Sequence, residues 1–113
     1  MKGVLTFALW SVVSLGHAVE LEVGHCKFPT PPSLADGASA TEEEMATTGS
    51  AVREFVSAMQ ASLDCLDKVQ IDLGKDITAE QEAALTALYN NGVDQMQALA
   101  GAYNEQIRAY KER

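Results

Sequence analysis

Residues 41–66 read TEEEMATTGSAVREFVSAMQASLDCL, and this stretch decides the fold. Thr41 followed three positions later by Glu44 is a capping box, in which each side chain closes on the other residue's backbone N–H. Glu42, Glu43 and Glu44 place three carboxylates in the first turn, where the helix dipole favours negative charge. At 100° per residue, Met45, Thr48, Val52, Phe55, Val56, Met59, Leu63 and Leu66 fall on one stripe about 100° wide. A stripe of that kind predicts a helix with one buried face. The acidic start belongs to the helix, and it lacks the ligand spacing of a calcium loop.

Downstream, the pattern repeats. The first helix should end near Leu73, where Gly74 can take a C-terminal cap. Thr78-Ala-Glu-Gln81 is a second capping box. From there Leu85, Leu88, Tyr89, Gly92, Val93, Met96, Leu99, Ala100, Tyr103, Ile107 and Tyr110 make one stripe about 140° wide. Arg108, Lys111 and Arg113 suit the negative end of that helix. Asn90-Asn91-Gly92 is the one local conflict, because Asn-Gly signals a turn and Gly costs about 1 kcal/mol inside a helix. The stripe keeps its phase across it, so one helix is expected, with allowance for a kink.

These signals predict an all-α chain: a long antiparallel two-helix hairpin with helices at about 41–73 and 78–111, packed in coiled-coil fashion. Each helix would be about 45–50 Å long.

Upstream, residues 19–40 contain Pro29, Pro31, Pro32, Gly24 and Gly37 and read as an extended arm. Asp36-Gly37 marks a turn. Cys26 and Cys65 are the only cysteines, so a disulfide has one connectivity. Closing a loop of about 40 residues is worth about 3–4 kcal/mol on chain entropy. Residues 41–65 span about 36 Å as helix, and the arm from Cys26 to Ala40 reaches about 50 Å if extended. The bond therefore predicts that the arm runs back along the first helix, in the groove over Ala51 and Ala58. Phe28 and the prolines are expected to cover those small side chains.

Residues 1–18 read MKGVLTFALWSVVSLGHA. A short positive start, about a dozen mostly apolar residues and small residues at Gly16 and Ala18 have the layout of a signal peptide cleaved after Ala18. The run is too short for a membrane span, and no later segment predicts one. A lipid anchor at Cys26 is disfavoured, because His25 rather than a small residue precedes it. The expected location is periplasmic or secreted, which agrees with a disulfide.

The chain has 113 residues with 16 acidic and 8 basic, a net charge of -8. Removing residues 1–18 takes away Lys2 and no acid, which makes it more negative still. This balance excludes nucleic-acid binding, which needs a basic footprint. Phosphate-binding glycine motifs are missing. His25 is the one histidine after residue 18, so no Ser-His-Asp or Cys-His set forms. The pairs Asp64/Asp67 and Glu80/Glu82 read as solvated faces. His25-Cys26 and Asp64-Cys65 could offer four ligands, but adjacent residues rarely point at one ion. No catalytic residue, cofactor or metal is expected.

What remains is a surface. The second stripe is wider than one partner helix needs, and Tyr89, Val93, Met96, Ala100, Tyr103 and Ile107 form the expected interaction surface. A homodimer or an unidentified periplasmic protein would meet it. The alternative is a periplasmic binding protein or inhibitor using the Tyr/Met-rich stripe.

The runs Cys26-Lys-Phe-Pro-Thr-Pro-Pro-Ser-Leu-Ala-Asp-Gly37, Cys65-Leu66, Tyr89-Asn-Asn-Gly-Val-Asp94 and Tyr103-Asn-Glu-Gln-Ile-Arg-Ala-Tyr-Lys111 resemble small exported helical proteins of Gram-negative bacteria that carry no assigned activity. The resemblance implies a periplasmic setting and a helical fold, and no catalytic residues to carry over. Exported lysozyme inhibitors of paired-helix, disulfide-linked build are a more distant comparison, and they have more cysteines than the two here.

Overall fold

A computed structural model describes Val23 and residues 25–113. The expected signal peptide at 1–18, its cleavage site, and residues 19–22 and Gly24 of the expected arm lie outside the described residues.

Among the described residues two helices carry the fold: α1, Glu42–Leu73, and α2, Ala79–Glu112, joined by a 3-10 turn at Gly74–Asp76. Both begin one position later than the sequence reading placed them, because each capping threonine stands outside the helix it caps. Thr41 Oγ1 accepts from the Glu44 N–H at 3.0 Å, and the Thr41 N–H donates to Glu44 Oε1 at 2.8 Å. Thr78 and Gln81 repeat the arrangement at 3.0 Å in both directions. At the other end of α1, Gly74 takes φ 54° and its N–H donates to the Gln70 carbonyl. That backbone conformation favours glycine.

The helices run antiparallel. Position 49 of α1 meets Tyr103 of α2, and Leu63 with Met59 meets position 92. Leu66 and Leu85 line one cleft near the turn. The core is this seam, centred on Met59 and Leu66, the two most deeply buried large side chains. Gly92 explains the Asn-Asn-Gly conflict. A Cβ there would stand 2.9 Å from Leu63 Cδ2 and 3.0 Å from Met59 Sδ. Close helix approach, not a turn, requires the glycine, and α2 runs through it unbroken.

Cys26 and Cys65 form a disulfide with Cα atoms 5.6 Å apart. From there residues 26–40 follow α1 toward its N-terminus. The Ser62 hydroxyl lies against the Lys27 carbonyl and that of Ala58, four residues back on α1. The Ala35 N–H donates to Thr48 Oγ1 at 3.0 Å. Cys26 is buried and Pro29, Pro32, Leu34 and Ala35 are half-buried, while Lys27, Phe28, Thr30, Pro31 and Ser33 are exposed. The spacing of Cys26, Pro29, Pro32 and Ala35 matches the three-residue turn of a polyproline II chain, and Leu34, which packs against the core, departs from it.

It also corrects one expectation. Phe28 does not cover Ala51 and Ala58, and it remains 40% exposed. Pro29, Thr30 and Pro32 face that groove instead, leaving a cleft of about 290 Å³. With Cys26 held inward, a three-residue repeat turns Pro29 toward the helix and Phe28 away.

Gly37 links this segment to α2 and the C-terminal residue. The Gly37 N–H donates to Gln106 Oε1 at 2.7 Å, and Arg113 donates to the Gly37 carbonyl at 3.3 Å. A Cβ on Gly37 would collide with the backbone of Gln106. The turn there is shaped by Asp36, whose carboxylate accepts the Ala38 N–H and whose carbonyl accepts from Ser39 and Ala40. The segment thus spans both helices at the open end of the hairpin.

Candidate functional site

The two helices are covered unequally. On α1, Met45, Thr48, Gly49, Val52, Phe55, Met59, Ser62, Leu63, Leu66 and Val69 are buried. On α2, buried positions are Leu85, Gly92 and Leu99. Helix α1 is packed by α2 on one side and by residues 26–40 on another, whereas α2 has α1 along its length and the Gly37 turn at one end. The wider stripe on α2 is therefore the less protected one.

Of the predicted surface residues, Val93, Met96 and Tyr103 are half-buried against the core. The Tyr103 hydroxyl stands over Gly49, where a Cβ would be 2.6 Å from it. Ile107 is half-buried, Ala100 is exposed, and Tyr89 is 37% exposed. The six share one side of α2, with Tyr103 and Met96 nearest in helix phase to the buried Leu85, Gly92 and Leu99, and Ala100 and Val93 farthest from them.

Sequence reading missed Ile71. It is 74% exposed on α1 and lies one helical turn beyond Asp67, on the same side. Asp67, Gln70 and Tyr89 line a cleft of about 220 Å³ near the hairpin turn. Ile71 was missed because it falls outside the periodic stripe, and periodicity finds only residues in phase.

A second cleft, of about 490 Å³, opens between residues 33–40 and the first turns of α1, with Asp36, Glu43 and Glu44 at its wall. The helix start there is already closed by the Thr41 side chain. Asp64, Asp67, Glu80 and Glu82 are exposed, in keeping with solvated faces. Among the described residues no buried side-chain polar atom lacks a hydrogen-bond partner. Glu105 hydrogen-bonds Arg108 at 2.9 Å and raises its basicity, but both groups are in solvent, where such pairs contribute little.

At the disulfide, one further group converges. A ring nitrogen of His25 and the Sγ atoms of Cys26 and Cys65 all lie within 4.8 Å of one another. His25 is exposed, Cys26 buried and Cys65 half-buried. Of the four ligands the sequence offers at these two places, the structure brings His25, Cys26 and Cys65 together, and Asp64 is not among them.

No described helix is long and apolar enough to cross a membrane. The chain matches no protein-family model, no curated protein and no solved structure with which it was compared.

Proposed function

We propose that this chain is an exported, non-enzymatic interaction module whose working surface is the outer flank of α2, and that its partner is a second copy of itself. The observation that carries the reading is the unequal cover of the two helices. Tyr89 and Ile71 leave large apolar side chains in solvent toward the turn end of the hairpin, while Phe28 is exposed on the segment packed along α1. Grouped exposed apolar side chains mark association surfaces more often than isolated ones do.

Charge favours self-pairing. Helix α2 begins with Glu80 and Glu82 and ends with Arg108, Lys111 and Arg113. Two copies of α2 laid antiparallel about Met96 bring each acidic start beside a basic end. Ala100, exposed and small, allows the close approach such a pairing needs. A two-fold arrangement of this kind buries the same patch on both subunits. Together the four helices would make a bundle.

Export is supported by the Cys26–Cys65 disulfide, a bond that persists in oxidising compartments. It agrees with the resemblance to small exported helical proteins. The segment of residues 26–40 serves here as a brace, holding α1 so that the flank of α2 is presented on a firm support.

A second reading, a binding protein or inhibitor using the Tyr/Met stripe, has the Tyr89 cleft in its favour. At about 220 Å³ that cleft is smaller than ordinary small-molecule sites of about 300–1,000 Å³. Crosslinking in cell extracts of the exporting organism separates the two readings. Self-association expects a crosslinked species of twice the chain mass, whereas an inhibitor expects a heterologous one.

A further inference from the structure

We propose that His25, Cys26 and Cys65 form a metal site in the reduced protein, in which a thiophilic d10 cation, Zn(II) or Cu(I), replaces the disulfide as the staple between the N-terminal segment and α1. The donor set is already assembled. All three donor atoms lie within 4.8 Å of one another. Ligands on one zinc at about 2.0–2.3 Å stand roughly 3.3–3.8 Å apart. Side-chain rotation of His25 and separation of the two sulfurs therefore suffice, with no backbone rearrangement between the elements.

Those elements do not depend on the disulfide alone. The Lys27 carbonyl rests on the Ser62 hydroxyl, one residue from Cys26 and three from Cys65. Ala35 is tied to Thr48, and Gly37 to Gln106. These bonds hold Cys26 near Cys65 after the covalent link opens. His25 is exposed, so its imidazole can turn inward without displacing core atoms. The turn that sets its position is closed by the Cys26 N–H donating to the Val23 carbonyl.

Chemistry restricts the ion. Two thiolates and an imidazole are soft and borderline donors that select Cu(I) and Zn(II) over calcium or magnesium. With three protein ligands, Cu(I) would be three-coordinate and Zn(II) would keep a water in its fourth position. The reaction sequence balances. A dithiol reductant gives two electrons and two protons to the Cys26–Cys65 bond and becomes a disulfide itself. The cation then displaces the two thiol protons and forms two metal–sulfur bonds, with no change in its own oxidation state. Disulfide and metal are mutually exclusive states of one staple.

The test uses the chain from Val19 onward, prepared oxidised and fully reduced without oxygen. Zn(II) and Cu(I) are titrated against a chromophoric chelator, with Cd(II) as a probe of thiolate charge-transfer absorption. The expected result is one equivalent bound by the reduced chain, little by the oxidised chain, and a rise in Tm of the reduced chain on metal addition. His25→Ala should weaken binding at least tenfold with unchanged helical circular dichroism, since His25 is on the surface. Cys26→Ser should weaken it further, and reduced wild type serves as its folding control because both lack the disulfide. Binding of either cation with the His25 dependence supports the site. Equal binding by the oxidised chain, equal binding by His25→Ala, or no stoichiometric binding by the reduced chain overturns it.

Discussion

At the scale of single residues, three glycines separate space from conformation. Gly92 faces Leu63 and Met59 across the seam. A larger side chain there must push the helices apart, so Gly92→Val is expected to destabilise by about 1–3 kcal/mol. Gly37 faces backbone rather than side chain, and rotamer changes cannot relieve that collision. Gly37→Ala should therefore detach the turn at residues 36–40 from α2, with exchange protection lost at Gly37 before the helices melt. Gly101 is the control. A Cβ there meets nothing within 4 Å, and Gly101→Ala should stabilise α2 by up to about 1 kcal/mol. Urea unfolding of the three variants, compared by midpoint at constant slope, checks the order. The sequence alone marks Gly92 as a conflict and resolves it by helix phase in favour of one helix, which the structure shows, but it does not say why a glycine stands there. That reason lies in the facing side chains of α1, Leu63 and Met59, which leave no room for a Cβ.

At the scale of elements, the caps and the staple carry separable shares of stability. Thr41→Ala and Thr78→Ala each remove a hydroxyl acceptor from an N–H at a helix start. Each is expected to cost about 1 kcal/mol, and the two should add, because the sites share no partners. Reduction of Cys26–Cys65 releases a closed loop and is expected to cost about 3–4 kcal/mol in chemical denaturation. These elements were legible from sequence for a physical reason. Capping boxes and apolar stripes are local, so Thr41, Glu44, Thr78 and Gln81 announce their roles within four residues. The course of residues 26–40 was only partly legible. The cysteine pair fixed its path, yet which side each residue shows depends on a three-residue backbone repeat that composition suggests and does not phase. Phe28 was misplaced for that reason. The contact of Gly37 with Gln106 is non-local and left no periodic trace.

At the scale of the whole molecule, a hairpin of two helices has one seam and therefore one helix that depends on other cover. Residues 26–40 give that cover to α1, and the outer flank of α2 is the surface left over. The sequence places the expected surface on α2, because the stripe's width exceeds what one neighbouring helix can bury. It missed Ile71, which adds to the exposed apolar end from the opposite helix. Self-association through α2 is the central claim, and light scattering coupled to size exclusion tests it most directly. The oxidised chain from Val19 onward is measured over a hundredfold range of concentration, beside Ala100→Glu, which places a charge on the exposed flank without touching the core. The expected result is a molar mass that rises toward twice that of the chain, and an Ala100→Glu variant that stays monomeric with the same Tm. A wild-type chain that remains strictly monomeric over the whole range would contradict it.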